Sequence, residues 1–158
     1  MPSFSKQKQI LGLAGWLVLS YAASAVGAVA SIQAQSFYGQ LVQPAWAPPP
    51  GVFAPVWTIL YTLMGIAAWL VWKRAGFGLP LLFWGLQLVV NALWSYLFFG
   101  LQRPDLALID IVLLLGLIVA TLAAFRPVSP VAAALLLPYL LWVAFATALN
   151  LTLWRLNP

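Results

Sequence analysis

The sequence predicts an all-α membrane protein: a bundle of five transmembrane helices with a folded loop between the first and second. Composition points there first, since 65% of the 158 residues are hydrophobic and only 6% charged, against about 45–50% and about 25% in soluble domains. Length is the second observation. Five apolar stretches, at about 10–32, 53–72, 79–101, 106–125 and 131–154, each approach the roughly 20 residues that a helix needs to cross about 30 Å of hydrocarbon. The third is punctuation: the breaks at 73–78, 102–105 and 126–130 are short and built from charge, Gly and Pro. Residues 1–158 are therefore expected to form a single transmembrane domain, with residues 33–52 as a lid and sequential helices as antiparallel neighbours.

The same composition excludes whole classes of chemistry. The chain has no Cys and no His, which removes disulfides, Cys/His metal centres, histidine bases, and Cys or His axial ligands to a haem. Chemistry is left to Trp, Tyr, Asn, Gln and Asp, with no required cofactor and no metal. The net charge of +5 is spread thinly, whereas a nucleic-acid surface needs clustered Lys and Arg. It reads instead as topology. Lys6, Lys8, Lys73, Arg74 and Arg126 fall on one side of the predicted bundle, and Arg103 and Arg155 on the other. The positive-inside rule then puts the N-terminus in, with the lid and C-terminus outside. The expected location is a multi-pass position in a bacterial membrane. No A-x-A-like cleavage site follows the first apolar stretch, so it is read as a permanent helix.

Along that first helix Ser20, Ser24, Gly27 and Ser31 form a stripe of small residues, which lets another backbone approach closely or leaves space for a ligand. The loop from Phe37 to Gly51 carries no charge, three aromatics (Phe37, Tyr38, Trp46) and four prolines (Pro44, Pro48, Pro49, Pro50). Proline cuts backbone freedom and aromatics bring broad apolar faces, so the segment predicts a folded lid over an apolar pocket. The second helix aligns Trp57, Tyr61, Gly65 and Trp72. Trp72, beside Lys73 and Arg74, and Trp69 fit interfacial anchors, while Trp57 and Tyr61 either anchor or line a pocket.

The third helix places Gln87, Asn91, Trp94 and Ser95 on one side. A carboxamide in hydrocarbon must bond to a neighbouring helix or face a cavity. Asp110 is the one carboxylate inside a predicted span; it serves either a structural hydrogen bond or contact with a ligand or proton. In the fifth helix Pro138 breaks the hydrogen-bond ladder, and Tyr139, Trp142, Ala146 and Asn150 follow as a stripe. Faces from the second, third and fifth helices are thus expected to converge on one cleft beneath the lid. No internal repeat is visible and the helix number is odd, which weighs against an inverted-repeat transporter.

With these residues in view, the sequence resembles the TspO/translocator protein family, the tryptophan-rich sensory proteins or peripheral-type benzodiazepine receptors. The resemblance runs nearly end to end. It is carried by Phe37-Tyr38, Leu41, Pro44, Trp46 and Pro48-Pro49; by Ala54-Pro55-Val56-Trp57-Thr58 with Leu60-Tyr61; by Gln87, Asn91, Trp94 and Phe98-Phe99-Gly100; by Ala107 with Asp110; and by Pro138-Tyr139-Leu140, Trp142, Ala144-Phe145-Ala146-Thr147 and Asn150. It implies a membrane protein, commonly homodimeric, that binds porphyrins such as protoporphyrin IX and, in some members, cholesterol and synthetic drugs. By position it implies a pocket lined by Trp46, Trp57, Tyr61, Asn91, Trp94, Asp110, Leu113, Trp142, Ala146 and Asn150, with Trp46 facing Trp57 and Trp142. In some bacterial members the residues matching Trp57 and Trp142 are linked to light-dependent porphyrin breakdown, the one enzymatic activity the resemblance allows. No dark acid–base or nucleophilic constellation accompanies them.

Three departures qualify the resemblance. A sterol-recognition pattern over Leu149 to Arg155 lacks its tyrosine, where Leu151 and Thr152 stand, so sterol binding is not expected. The family's basic residue before the lid proline is Gln43, and an aromatic before the acid is Leu106. A lid without charge should hold a ligand by stacking and shape. The expected functions are thus tetrapyrrole binding and sensing first, porphyrin or sterol transport second, and photodegradation third. Gly85 is the weak sequence pointer to a dimer contact.

Overall fold

The computed structural model describes residues 3–32 and 34–158 and is helical throughout its regular structure, with no strand among those residues. Helix α1, Lys6–Ala30, starts at Ser5, whose hydroxyl accepts the Lys8 N–H at 3.2 Å. Such a cap satisfies one of the orphan donors at a helix start. A short lid helix α2, Ala34–Gln40, follows, and a 3-10 turn at Pro50–Val52 runs straight into α3, Phe53–Ala75. Gly76 ends α3 at φ 70°, a conformation that suits a residue without Cβ, and its N–H returns to the Trp72 carbonyl at 2.9 Å.

Helix α4, Leu79–Ser95, widens into a π-turn over Tyr96–Gly100, where the Leu101 N–H reaches the Tyr96 carbonyl at 2.8 Å. Helix α5 spans Pro104–Phe125, and the last crossing is split into α6, Pro130–Leu135, and α7, Leu137–Leu156. The split falls at Leu136, one turn before Tyr139, because Pro138 has no N–H to give to the preceding turn. Among the described residues, five segments are long and apolar enough to cross a bilayer: Lys6–Ala30, Pro50–Ala75, Leu79–Gly100, Pro104–Phe125 and Pro130–Leu156. The protein is an integral, multi-pass membrane protein, and each predicted span is matched to within a few residues.

Side by side, α3 packs on α1, α1 on α4, α4 on α5, α5 on α7, and α6 back on α3. One expectation is corrected. The second and third crossings, despite their short connection at 76–78, meet mainly across the interior, because α1 fills the place between them. Their meeting is polar: Trp84 Nε1 donates to the Met64 carbonyl at 3.1 Å and Gln87 Nε2 to Met64 Sδ at 3.8 Å.

The bundle has two distinct ends. At one, Arg74 Nη1 donates to the Val128 carbonyl at 3.2 Å, tying the α3–α4 connection to the α5–α6 connection. At the other, the lid is latched to the C-terminus: the Val42 N–H donates to Asn157 Oδ1 at 2.8 Å and Asn157 Nδ2 to the Val42 carbonyl at 2.9 Å. The loops thus fall into the two groups that five alternating crossings require.

Away from the lid, α1 is locked against α3. Trp69 Nε1 donates to the Gln9 carbonyl at 2.8 Å, Ser20 Oγ to the Tyr61 carbonyl at 2.6 Å, and the Tyr21 and Thr62 hydroxyls are paired. Gly65 lies so close that a Cβ there would stand 2.9 Å from Leu17 Cδ2 and 3.2 Å from Leu17 Cα. Small residues permit this approach of two backbones. Trp72 belongs to the same lock. It is buried, stacked on Phe4 at 4.3 Å between ring centroids, and set against Gly12, so the expected interfacial anchor is a packing residue. Trp69, with Lys73 Nζ 3.9 Å from its ring centroid, is the better fit to an anchor.

Candidate functional site

Toward the lid the same helices part around a cavity of about 480 Å³. Its walls come from α1, α3, α4 with its π-turn, and α7, with Tyr38 and Pro50 added from the lid. This volume lies within the roughly 300–1,000 Å³ of small-molecule sites.

The lid is folded on itself. Tyr38 is buried, its hydroxyl donates to the Pro48 carbonyl at 2.8 Å, and its ring meets Phe53 edge-on at 5.5 Å. Burial pushes the Tyr38 phenol above its usual range, so it stays protonated and remains a donor. Gln43 Nε2 donates to the Tyr38 carbonyl at 2.6 Å. The neutral residue standing in place of the family's cation is therefore an internal strut of the lid.

Trp57, Tyr61, Asn91, Trp94, Trp142, Ala146 and Asn150 all line the cavity, as the sequence predicts. Trp57 and Trp142 stand at right angles with centroids 6.5 Å apart, and Trp57 also tilts against Tyr61 at 5.6 Å. Trp142 Nε1 is buried and has no acceptor among the described residues. Asn91 Nδ2 donates to the Tyr139 hydroxyl at 2.8 Å, and that hydroxyl donates to Gln87 Oε1 at 2.6 Å. The carboxamides on α4 are thus joined to α7 through one phenol, the structural alternative for Gln87. Asn150 is likewise a strut, accepting from Trp94 Nε1 at 3.0 Å and donating to the Pro104 carbonyl at 2.9 Å.

Three predicted residues lie elsewhere. Trp46 is not in the cavity wall: it is half exposed and meets Phe145 edge-on at 5.8 Å, with Phe145 rather than Trp46 leaning on Trp142 at 5.5 Å. The turn closed by the Ala47 N–H on the Pro44 carbonyl, 3.1 Å, carries Trp46 over α7, and Tyr38 takes the inward place. Leu113 is 57% exposed on the outer face of α5, because the next residue, Leu114, occupies the inward position of that turn. Asp110 is buried on α5 outside the lining, and its Oδ2 has no donor among the described residues.

Sequence reasoning did not commit to α1. Ser24, Gly27 and Ser31 line the cavity, while Ser20 of the same stripe packs against α3. Spacing alone carried both meanings, and the partner helix decides between them. Phe98 continues the face of Asn91, Trp94 and Ser95 at helical spacing, and Phe99 joins it in the wall where α4 widens into the π-turn; nothing in the local sequence announces that widening.

A model of the TspO/MBR family matches residues 9–155. The chain is 44% identical to the Tryptophan-rich protein TspO of Chlorobaculum tepidum over 156 residues, covering 96% of this chain and 99% of that protein. It is 44% identical to the human Translocator protein over 126 residues, 77% of this chain and 75% of that one. It is 37% identical to the Tryptophan-rich sensory protein of Cereibacter sphaeroides over 146 residues, 90% and 92% of the two chains.

Proposed function

The chain belongs to the TspO/MBR family, and on that premise we propose that it binds a tetrapyrrole of the protoporphyrin IX class inside the bilayer, as a sensory or disposal protein. The observation that supports this most is the cavity wall itself. Two indoles, Trp57 and Trp142, meet at right angles in an apolar space, and Trp142 keeps an unused N–H donor. A porphyrin is a broad apolar π-system with a polar edge. Its face would stack on one indole while the edge of the other packs against its rim. The ligand is held by shape and stacking, because the described lining contains no ionisable acid or base beyond tyrosine.

Affinity in the micromolar range or tighter is expected, about −8 kcal/mol. Titration with protoporphyrin IX, followed by tryptophan-fluorescence quenching, tests the proposal. The double variant Trp57→Ala, Trp142→Ala should bind about a hundredfold more weakly, and unchanged affinity would remove the cavity from the reading.

The indole pair favours a second reading, photodegradation of the bound porphyrin with Trp57 or Trp142 as electron donor to the excited macrocycle. Illumination in air should bleach the bound porphyrin faster with the native protein than with Trp57→Phe, Trp142→Phe. Equal bleaching in both would end that reading and leave binding intact.

A further inference from the structure

We propose that the cavity is filled sideways from the bilayer, through an opening between the lid-side halves of α1 and α3, by a flat amphiphile dissolved in the lipid. The proposal rests on the reading of the cavity as a porphyrin-class site. It goes further, by assigning the path and the residues that set its width.

The opening follows from the register of the two helices. They run antiparallel and are joined at Gln9 with Trp69, Gly12 with Trp72, Leu17 with Gly65, and Ser20 with Tyr61. Continued at the same register, Ser24 would fall opposite Thr58 and Ala28 opposite Ala54. Those residues instead line the cavity. Beyond Tyr21, α1 turns its close approaches to α4: a Cβ on Gly27 would stand 3.3 Å from Ser95 Oγ, and one on Gly100 3.8 Å from the Ala30 carbonyl. The lid-side half of α1 therefore leans away from α3.

Ala28, Pro50, Ala54 and Thr58 belong to the cavity wall and are exposed, whereas Tyr61, Asn91 and Asn150 of the same wall are buried. A residue with both properties is part of a rim. All four lie within membrane-crossing segments, so what the rim faces is lipid. Ala54 and Thr58 occupy the first two turns of α3, so the opening begins near the headgroups and extends about 6–8 Å inward at 1.5 Å per residue. The rim suits hydrocarbon. The Thr58 hydroxyl is already bonded to the Ala54 carbonyl at 2.8 Å, and the other rim side chains, those of Ala28, Pro50 and Ala54, are apolar.

The lid is the closed wall by contrast, held by Tyr38 on Pro48, Gln43 on Tyr38 and Asn157 on Val42. A flat ligand could slide in edge-first with its charged edge left at headgroup level.

The test uses the full chain in lipid nanodiscs, with protoporphyrin IX delivered from donor vesicles and stopped-flow tryptophan quenching as readout. Ala28→Phe, Ala54→Phe narrows the rim, and both loading and unloading should slow by tenfold or more, since a blocked path acts in both directions. Thr58→Ala, which only removes atoms, should speed both by about threefold and covers the case in which the bulky variant does not fold. Wild-type rates in all these variants overturn the proposal, as does faster loading in Asn157→Ala, which would make the lid the gate. If wild type and Trp57→Ala, Trp142→Ala reach half-quenching at the same porphyrin concentration at equilibrium, the porphyrin site itself fails and the path falls with it. A midpoint shifted to higher porphyrin concentration in that variant, while rim variants keep wild-type rates, removes the path alone.

Discussion

The two halves of the α1–α3 pair are built from similar stripes and do opposite things. On α1 the stripe is Ser20, Ser24, Gly27 and Ser31; on α3 it is Trp57, Tyr61, Gly65 and Trp72. Away from the lid, Ser20, Gly65 and Trp72 bring the two backbones together. Toward it, Ser24, Gly27, Trp57 and Tyr61 surround a cavity of about 480 Å³. A small side chain gives either contact or space, and the outcome depends on whether the facing helix comes near. In lipid this choice matters, since apolar surface gains little by leaving one hydrocarbon phase for another and packing must hold the helices together. The locked half supplies that packing, and the open half is free to hold a ligand.

Enlarging one side chain in the cavity wall, on α7, and one in the α1–α3 lock sharpens the contrast. Ala146→Phe places a ring in the cavity and should weaken protoporphyrin IX binding about a hundredfold, some 2.7 kcal/mol, while thermal unfolding in detergent stays the same or improves. A loss of stability there would mean that the open half is close-packed after all. Gly65→Leu drives a side chain into Leu17 and should destabilise by about 1–3 kcal/mol, seen as a lower unfolding midpoint. An unchanged midpoint would deny that α1 and α3 are locked.

Smaller effects probe the links between the halves. Tyr139→Phe removes the hydroxyl shared by Asn91 and Gln87 and should cost about 1 kcal/mol; urea or thermal unfolding measures it, and no cost would make that network incidental. Asn157→Ala releases the exposed lid latch and should cost less than about 1 kcal/mol. Limited proteolysis should nonetheless cut the lid sooner, and equal cutting would locate the lid's restraint in Tyr38 and Gln43 alone.

Hydrophobic runs of the right length and Gly/Pro breaks made the five crossings legible, because a bilayer imposes length and continuity directly on sequence. The lid was legible through its prolines and lack of charge. Seven of the ten proposed site residues line the cavity because periodicity placed them on shared faces of α3, α4 and α7. The misses have geometric causes. Trp46 and Tyr38 are both lid aromatics, and only the Pro44–Ala47 turn tells which points in. Leu113 and Leu114 are adjacent and chemically alike, so the choice of inward residue rests on the rotation of α5. The role of α1 depended on the lean of its lid-side half, which is a tertiary property. The neighbour order likewise could not be read from connection lengths, since α1 intervenes between α3 and α4.

The most direct measurement is a structure of the protein with protoporphyrin IX bound in a lipid environment. The account predicts a single macrocycle between α1, α3 and α7, stacked on Trp57 or Trp142, with the α1–α3 lock from Gln9 to Tyr61 unchanged. A porphyrin seated on an outer face of the bundle, with the cavity occupied by lipid or water, would contradict it.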